Sequence, residues 1–551
     1  MTGAALLAAF TAAAPAQATE SGREVLNALA RARLAEEAGD PRAALTALTD
    51  VASRAPGLPG LRGRILEQAM QGGDLAAARS AAMQLWTSGE RRFDARLVLT
   101  VDAVRRSDWR AARTFAGVDG DKTGGDPMTR LLLPVIGAWI EVGARGKLPE
   151  RPLLAAGARG RPEPAFILEA ALVQLAAKRP ADAVALAGAT MLTDRTSQLV
   201  ALRLAATLDA AGEGEAAKRL RGRIALATGG REDPLLLLSD RPVSTPRGGI
   251  AHWLALLADG FARAPVGNSR LPLMIARSAW WLDASDPTVR SALVEALDRD
   301  GQRQAALALL ADNRGAPPLP ALAMRKAELL ADAGDLGAAT TLAEAAAAQA
   351  PASRSLLVRF ADIARRSDDG AAAERAYARL EADLGDSEED RALHATILIA
   401  RADLLLQKGE WDKAQPMLDR AVALRPGDPT ILNFAGYSAL ERRRNIDASL
   451  AQIEAAWKAE PQNPSITDSL GWAYVLTGRI AEAVPLLEAA QRGEPENPVI
   501  VEHLGDAYWQ AGQRFSARYV WRAAALIADA DMATRLEAKL RDGLTPATMA
   551  P

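Results

Sequence analysis

A 34-residue period between Ile466 and Ala525 constrains this chain more than any other feature. Leu470, Gly471, Tyr474, Gly478, Ala483, Leu487 and Ala490 stand in order; Leu504, Gly505, Tyr508, Gly512, Ala517, Trp521 and Ala524 repeat that order, each 34 residues later. A fixed period of this length, with small, aromatic and turn residues in register, is what stacked helical pairs leave in a sequence. Two helices cross closely only where the side chains at the crossing are small, a role open to Gly471 with Ala483 and to Gly505 with Ala517. Tyr474, Leu487, Tyr508 and Trp521 fill the space beside them. Gly478 and Gly512 fall between the helices, where a left-handed backbone costs glycine little. Pro495 follows the second helix of the first copy and stops it.

These slots resemble the tetratricopeptide repeat (TPR) family. The phrases GYSALERRRN, DSLGWAYVLTGR and EHLGDAYWQAGQ resemble TPR proteins of Gram-negative, alphaproteobacterial type. The resemblance is close over Thr396–Leu540 and loose elsewhere. It implies an all-α fold, a right-handed superhelical solenoid of TPR and TPR-like helix pairs, and a role in protein–protein interaction.

At 551 residues the chain exceeds one compact core, so several domains or an extended array are expected. The scarcity of aromatics, at 4%, and the abundance of alanine suit close-packed helices better than sheets. A net charge of -2 gives no field to attract nucleic acid, and none is expected as a partner. With no cysteine there is no disulfide frame, thiol nucleophile or thiolate metal site.

Residues 1-19 read as a signal peptide directing the chain to the periplasm. Ala4–Ala14 is apolar and of secretory length, and Ala16-Gln17-Ala18 has the form of a cleavage site. No Lys or Arg precedes Arg23, whereas an export signal ordinarily starts with positive charge, so a cytoplasmic location is the alternative. That run is too short to span a bilayer, and no transmembrane segment is expected. Residues 20-228 read as degenerate TPR-like repeats, in which a turn residue precedes alanine by five positions: Gly39 and Ala44, Gly73 and Ala78, Ser107 and Ala112. Gly117–Pro127 and Gly143–Pro164 read as loops flanking an apolar helix, Leu131–Val142, with Trp139 in the core. Residues 229-249, rich in Pro and Gly, read as a linker. TPR-like repeats resume over 250-390, and 391-530 is the best-preserved array. The unit from Thr430 to Pro461 runs one residue over period, with the extra residue near Arg442–Asn445. Residues 531-543 read as a polar capping helix and 544-551 as a disordered tail.

The sequence carries no recognisable catalytic set. His252, His394 and His503 are far apart in sequence and form no ligand cluster, so neither metal nor cofactor is expected. Asp121-Lys122-Thr123 has the tail of a phosphate-binding loop but an aspartate where glycine is required. What remains is a surface. In TPR proteins the first helices line a groove for a partner's segment, and the resemblance places Asn433, Tyr437 and Leu440 there. It adds Asp468, Trp472 and Val475, then Glu502, Asp506 and Trp509. Carboxylate capture needs Lys and Asn in these slots; here they are mostly acidic and aromatic, favouring a basic and apolar segment. Trp472 and Trp509 serve equally well as packing between repeats. The reading is a non-enzymatic scaffold or adaptor in the cell envelope. The rivals are a TPR-bearing enzyme with an unrecognised site in 117-164 or 229-249, and a polysaccharide or lipid assembly factor.

Overall fold

The computed structural model describes residues 20–118, 127–146, 163–228, 241–265, 267, 269–311, 319–350 and 353–550. Among them every regular element is an α-helix, from Glu20–Glu37 to Ala530–Asp542, and there is no strand. The expected signal peptide and the Asp121-Lys122-Thr123 motif lie outside the described residues, as do most of both expected loops and residues 229–240. The chain divides into two compact units, Met1–Ser367 and Asp368–Pro551. Within each, consecutive helices pair as antiparallel hairpins and the hairpins stack as a repeat solenoid.

One device builds these hairpins. Gly39, Gly73, Gly212, Gly301, Gly334, Gly409, Gly478 and Gly512 all sit in the left-handed region, with φ from 68° to 88°. Five positions after each comes alanine, namely Ala44, Ala78, Ala217, Ala306, Ala339, Ala414, Ala483 and Ala517, and every one is fully buried. The left-handed residue ends the first helix: Gly478 N–H donates to Val475 O and Arg479 N–H to Tyr474 O. The alanine then meets the first helix one turn into the second, where a larger side chain would push the backbones apart. Ser107, Lys178 and Asp368 hold the same slot at φ 57°, 65° and 55°, ahead of the buried Ala112, Ala183 and Ala373. The expected turn at Ser107 is present; those at Lys178 and Asp368 carry no glycine to announce them.

In the second unit the period is visible in atoms. A Cβ on Gly471 would lie 2.7 Å from the Leu487 side chain, and one on Gly505 would lie 2.3 Å from Trp521. Gly436, one repeat earlier, faces Ile453 at 2.9 Å and the Ser449 carbonyl at 2.8 Å. Tyr474 donates to Glu454 at 3.1 Å and Tyr508 to Glu488 at 2.8 Å, the same bond one period apart. The extra residue of the Thr430–Pro461 unit lies in its turn. Arg443 and Asn445 both take positive φ there, 53° and 45°, where the neighbouring turns need one such residue. Helix starts are equally regular. Asp428, Asn463 and Asn497 each precede a proline at the first helical position, and each side chain accepts a backbone N–H of the first turn.

The first unit departs from the sequence reading in three ways. Residues 229–240 of the expected linker lie outside the described residues, and the described helices on either side of it fall in one compact unit. Pro246 opens the Pro246–Arg263 helix, and Gly249 lets it lie against Trp139, where a Cβ would come within 2.2 Å of the ring. Helices on both sides of the supposed linker therefore share one core, which runs from Leu97 to Leu329. Among the described residues of that stretch, Pro246 marks a helix start. Gly143 is helical, since the helix carrying Trp139 runs Pro127–Arg145. Finally, the helix Arg270–Leu282 returns to the N-terminal hairpins. Arg270 pairs with Glu67, and Arg277 donates to Gln71 O at 3.2 Å. Simple nearest-neighbour stacking does not contain such contacts.

That core buries Glu169 and His252, with His252 Nε2 4.0 Å from Glu169 Oε1. Burial pushes the Glu169 carboxyl up to about 8, against the pull of Trp139 and Arg203. Burial, aided by Arg203, pushes His252 well below its usual value. Between the ordinary histidine value and pH 8 the folded chain holds a Glu169 proton that the unfolded chain has lost. Stability therefore falls as pH rises through this window, by about 1.4 kcal/mol per unit. Below the ordinary histidine value the unfolded chain takes a proton that buried His252 refuses, and the two slopes cancel. Denaturant titrations from pH 5 to 8.5 should show this loss above pH 6.5 in the parent chain and not in Glu169→Gln. We also expect Gly505→Val to cost about 2 kcal/mol or more by overpacking against Trp521. The open Gly427→Ala should stay within about 0.5 kcal/mol, both read from urea midpoints.

Candidate partner-binding face

The residues expected in the groove come from three successive first helices, Pro429–Glu441, Pro464–Leu476 and Pro498–Gln510. Their environments differ. Trp472 is fully buried and stacks on His503 at 4.2 Å between centroids, with the planes 9° apart. His503 Nδ1 lies 2.9 Å from Asp468 Oδ2. A carboxylate only accepts, so Nδ1 carries the proton, and the buried Nε2 has no hydrogen-bond partner among the described residues. Trp472 is thus held between repeats, the packing role the sequence left open for it.

Glu502 and Asp506 are buried and already matched. Arg535 grips Glu502 through two nitrogens at 2.8 and 2.7 Å. Lys539, fully buried, lies 2.7 Å from Glu502 and 2.7 and 2.8 Å from the Asp506 oxygens. Both cations come from the Ala530–Asp542 helix, whose Met532 and Leu536 cover Val501, Trp521 and Ala524. The capping helix is present, and it caps charge as well as apolar surface. Burial raises the Glu502 carboxyl, but Arg535 and Lys539 outweigh it and hold Glu502 below the usual range. Asp506 lies higher than usual because burial outweighs Lys539. Trp521 Nε1 also donates to Asp506, at 2.9 Å. Trp509 is half-buried, tilted against Trp521 at 5.3 Å, with Arg514 over its ring at 4.0 Å.

Asn433 and Tyr437 differ from these. Both are half-buried, and Asn433 Oδ1 is a buried acceptor without a hydrogen-bond donor among the described residues. Burial, then the charges of Glu441 and Asp468, push the Tyr437 hydroxyl far above its usual range. Glu441 is itself raised by burial against Arg442 and His503. Glu441, one helical turn beyond Tyr437, lies outside the residues that first-helix register marks. Its four-residue spacing from Tyr437 was the available signal.

The tail is also part of this face. Gly543 turns at φ 82° against the Trp509 ring, Ala550 N–H donates to Asp506 Oδ2 at 2.9 Å, and Met549 and Ala550 join the cluster of Trp472, Val475, Leu504 and Ala507. The expectation of a disordered tail is corrected: Leu544, Met549 and Ala550 pack in apolar clusters, and Thr545 O and Asp506 accept backbone N–H groups of 544–550. Among the described residues no His, Asp and Glu group is arranged to hold a metal ion, and no helix is long and apolar enough to cross a membrane.

Stacked hairpins with small crossing residues, presenting a row of first helices, define a helical-repeat protein. Residues 369–528 match the tetratricopeptide repeat family, so the chain carries TPR repeats over that stretch, and TPR repeats mediate protein interaction. No curated protein matches the chain. Among solved structures, a TPR protein from Parabacteroides merdae is 18% identical, over 41% of this chain and 86% of that one, with a TM-score of 0.33. The Cut9-Hcn1 hetero-tetramer of the APC/C is 15% identical over 96% and 97%, at 0.36. MamA from Desulfovibrio magneticus is 18% identical over 32% and 94%, at 0.26.

Removing Lys539 would leave two buried carboxylates with one cation at their edge. Lys539→Met is expected to cost about 3–5 kcal/mol. Arg535→Ala should cost less, because Arg535 is partly exposed and Lys539 stays in place. Urea denaturation followed by tryptophan fluorescence checks the order.

Proposed function

We propose that this chain is a non-enzymatic scaffold of the cell envelope, exported to the periplasm, and that its first-helix face over residues 429–510 holds an extended segment of another protein. The observation that supports the face most is Asn433 Oδ1, an acceptor taken out of water and given no donor among the described residues. Such an atom costs about 1–3 kcal/mol unless something else meets it, and a partner's N–H is the direct remedy. Beside it, the Tyr437 ring can meet a Lys or Arg, and Glu441, paired with its neighbour Arg442 at 3.2 Å, adds negative potential there. Glu502 and Asp506 act indirectly, through the cap that shapes the end of the face. Export is supported by the Ala4–Ala14 run and by Ala16-Gln17-Ala18.

A photo-crosslinking residue at position 433 or 437 should trap one discrete protein in the source cell, and the same residue at exposed Arg420 should not. Equal trapping at all three positions, or none at 433 and 437, would sink the groove. In addition, Asn433→Leu should weaken capture about tenfold without loss of stability, since it removes an unmet acceptor. N-terminal sequencing that finds Thr19 first would support export; an intact Met1 would count against it.

A further inference from the structure

The last two hairpins already carry a peptide. After the Ala530–Asp542 helix the chain reverses at Gly543, where any Cβ would lie 2.2 Å from the Trp509 ring. Leu544 then packs on the cluster of Val501, Trp521 and Leu536. Thr545 to Met549 form a tight turn, with Thr548 N–H and Met549 N–H both donating to Thr545 O, at 3.1 and 3.0 Å. Ala550 lies in the apolar cluster, only 5% exposed, and its N–H reaches Asp506. Asp506 is held in place by Lys539 and by the Trp521 indole, so it presents a fixed acceptor to one backbone amide.

We propose that residues 544–550 are a resident pseudo-ligand. They occupy the first-helix face of the last two hairpins, and a partner segment with small apolar side chains binds there by displacing them. This deepens the interaction reading above and rests on it. The chemistry of the seat defines the occupant. A wall of Trp472, Val475, Leu504 and Ala507 accepts alanine- or methionine-sized groups, and Asp506 accepts one main-chain N–H. A partner's Lys or Arg finds no free acid at this end, because Glu502 and Asp506 are matched by Arg535 and Lys539. The basic residue expected in the partner belongs instead over the Tyr437 ring, where Glu441, shared with Arg442, adds negative potential. Attachment through a single residue, Gly543, gives the resident segment an effective concentration on the order of millimolar. A free segment of equal intrinsic affinity therefore competes poorly until the tail is released, which lowers apparent affinity by the open fraction.

The test uses a fluorescent synthetic peptide spanning residues 544–550 and three full-fold proteins: the intact chain, the chain ending at Gly543, and Ala550→Asp. The substitution sets a carboxylate against Asp506 in an apolar seat, so it expels the tail without shortening the chain. The intact chain should bind the peptide at least about tenfold more weakly than either opened form. Equal binding by all three, or no binding by the opened forms, overturns the proposal. So does loss of cooperative melting in Ala550→Asp, which would make the tail a structural strand of the core. Concentration-dependent dimers of the intact chain would place the segment in a second copy's groove and also overturn it. Trapping at position 433 is scored separately: peptide binding without trapping refutes a partner at the Asn433 end of the face and leaves the displaceable seat of 544–550 standing.

Discussion

The close crossing of the two helices within each hairpin is the constraint on which the rest depends. A left-handed residue turns the chain, and five residues later a buried alanine lets the second helix touch the first. Where glycine lies opposite, as at Gly471 and Gly505, the partner side chain comes so near that no Cβ fits. The crossing leaves each hairpin with an apolar face it cannot cover alone, and stacking buries that face on the next hairpin. Tyr474 with Glu454 and Tyr508 with Glu488 then lock neighbouring hairpins in one register.

A stack must end, and its end exposes whatever the missing hairpin would have covered. Here the Ala530–Asp542 helix supplies both the apolar cover, through Met532 and Leu536, and the cations, through Arg535 and Lys539. Glu502 and Asp506 are tolerable in a buried place only because those cations reach them. The same helix delivers residues 544–550 onto the face beyond. Stability of the last hairpin and access to its surface are therefore coupled through one element. In the first unit the analogous risk is the buried Glu169, which is accommodated by keeping its proton rather than by an ion pair.

Much of the fold was readable from local chemistry. Gly39, Gly73 and Gly478 announce their turns because few other residues favour positive φ, and Ala44, Ala78 and Ala483 follow at fixed distance. Lys178 and Asp368 make the same turn without that signature, so their hairpins were harder to see. Pro242 and Pro246 suggested a border at 229-249 because proline marks helix ends, and composition does not reveal that the next helix packs on Trp139. The candidate site was less legible still. First-helix register placed Asp468, Trp472, Glu502 and Asp506 in one row, and they do lie on successive first helices. Register says nothing of Lys539 or Ala550, which arrive from more than thirty residues away and bury the acids. Trp472 could have been platform or packing on pattern alone; the His503 stack is a contact between repeats that only three dimensions display.

Regular stacking in register is the claim that everything else uses, and pulsed EPR distances measure it most directly. The chain has no cysteine, so spin labels go only where cysteine is introduced. Asp447, Ala481 and Phe515 are exposed and equivalent, at the starts of three successive second helices. The 447–481 and 481–515 separations should be equal, one helix-packing step of about 10 Å between backbones, and 447–515 about twice that. Two unequal steps, or a 447–515 distance no longer than either, would contradict a stack of equivalent hairpins.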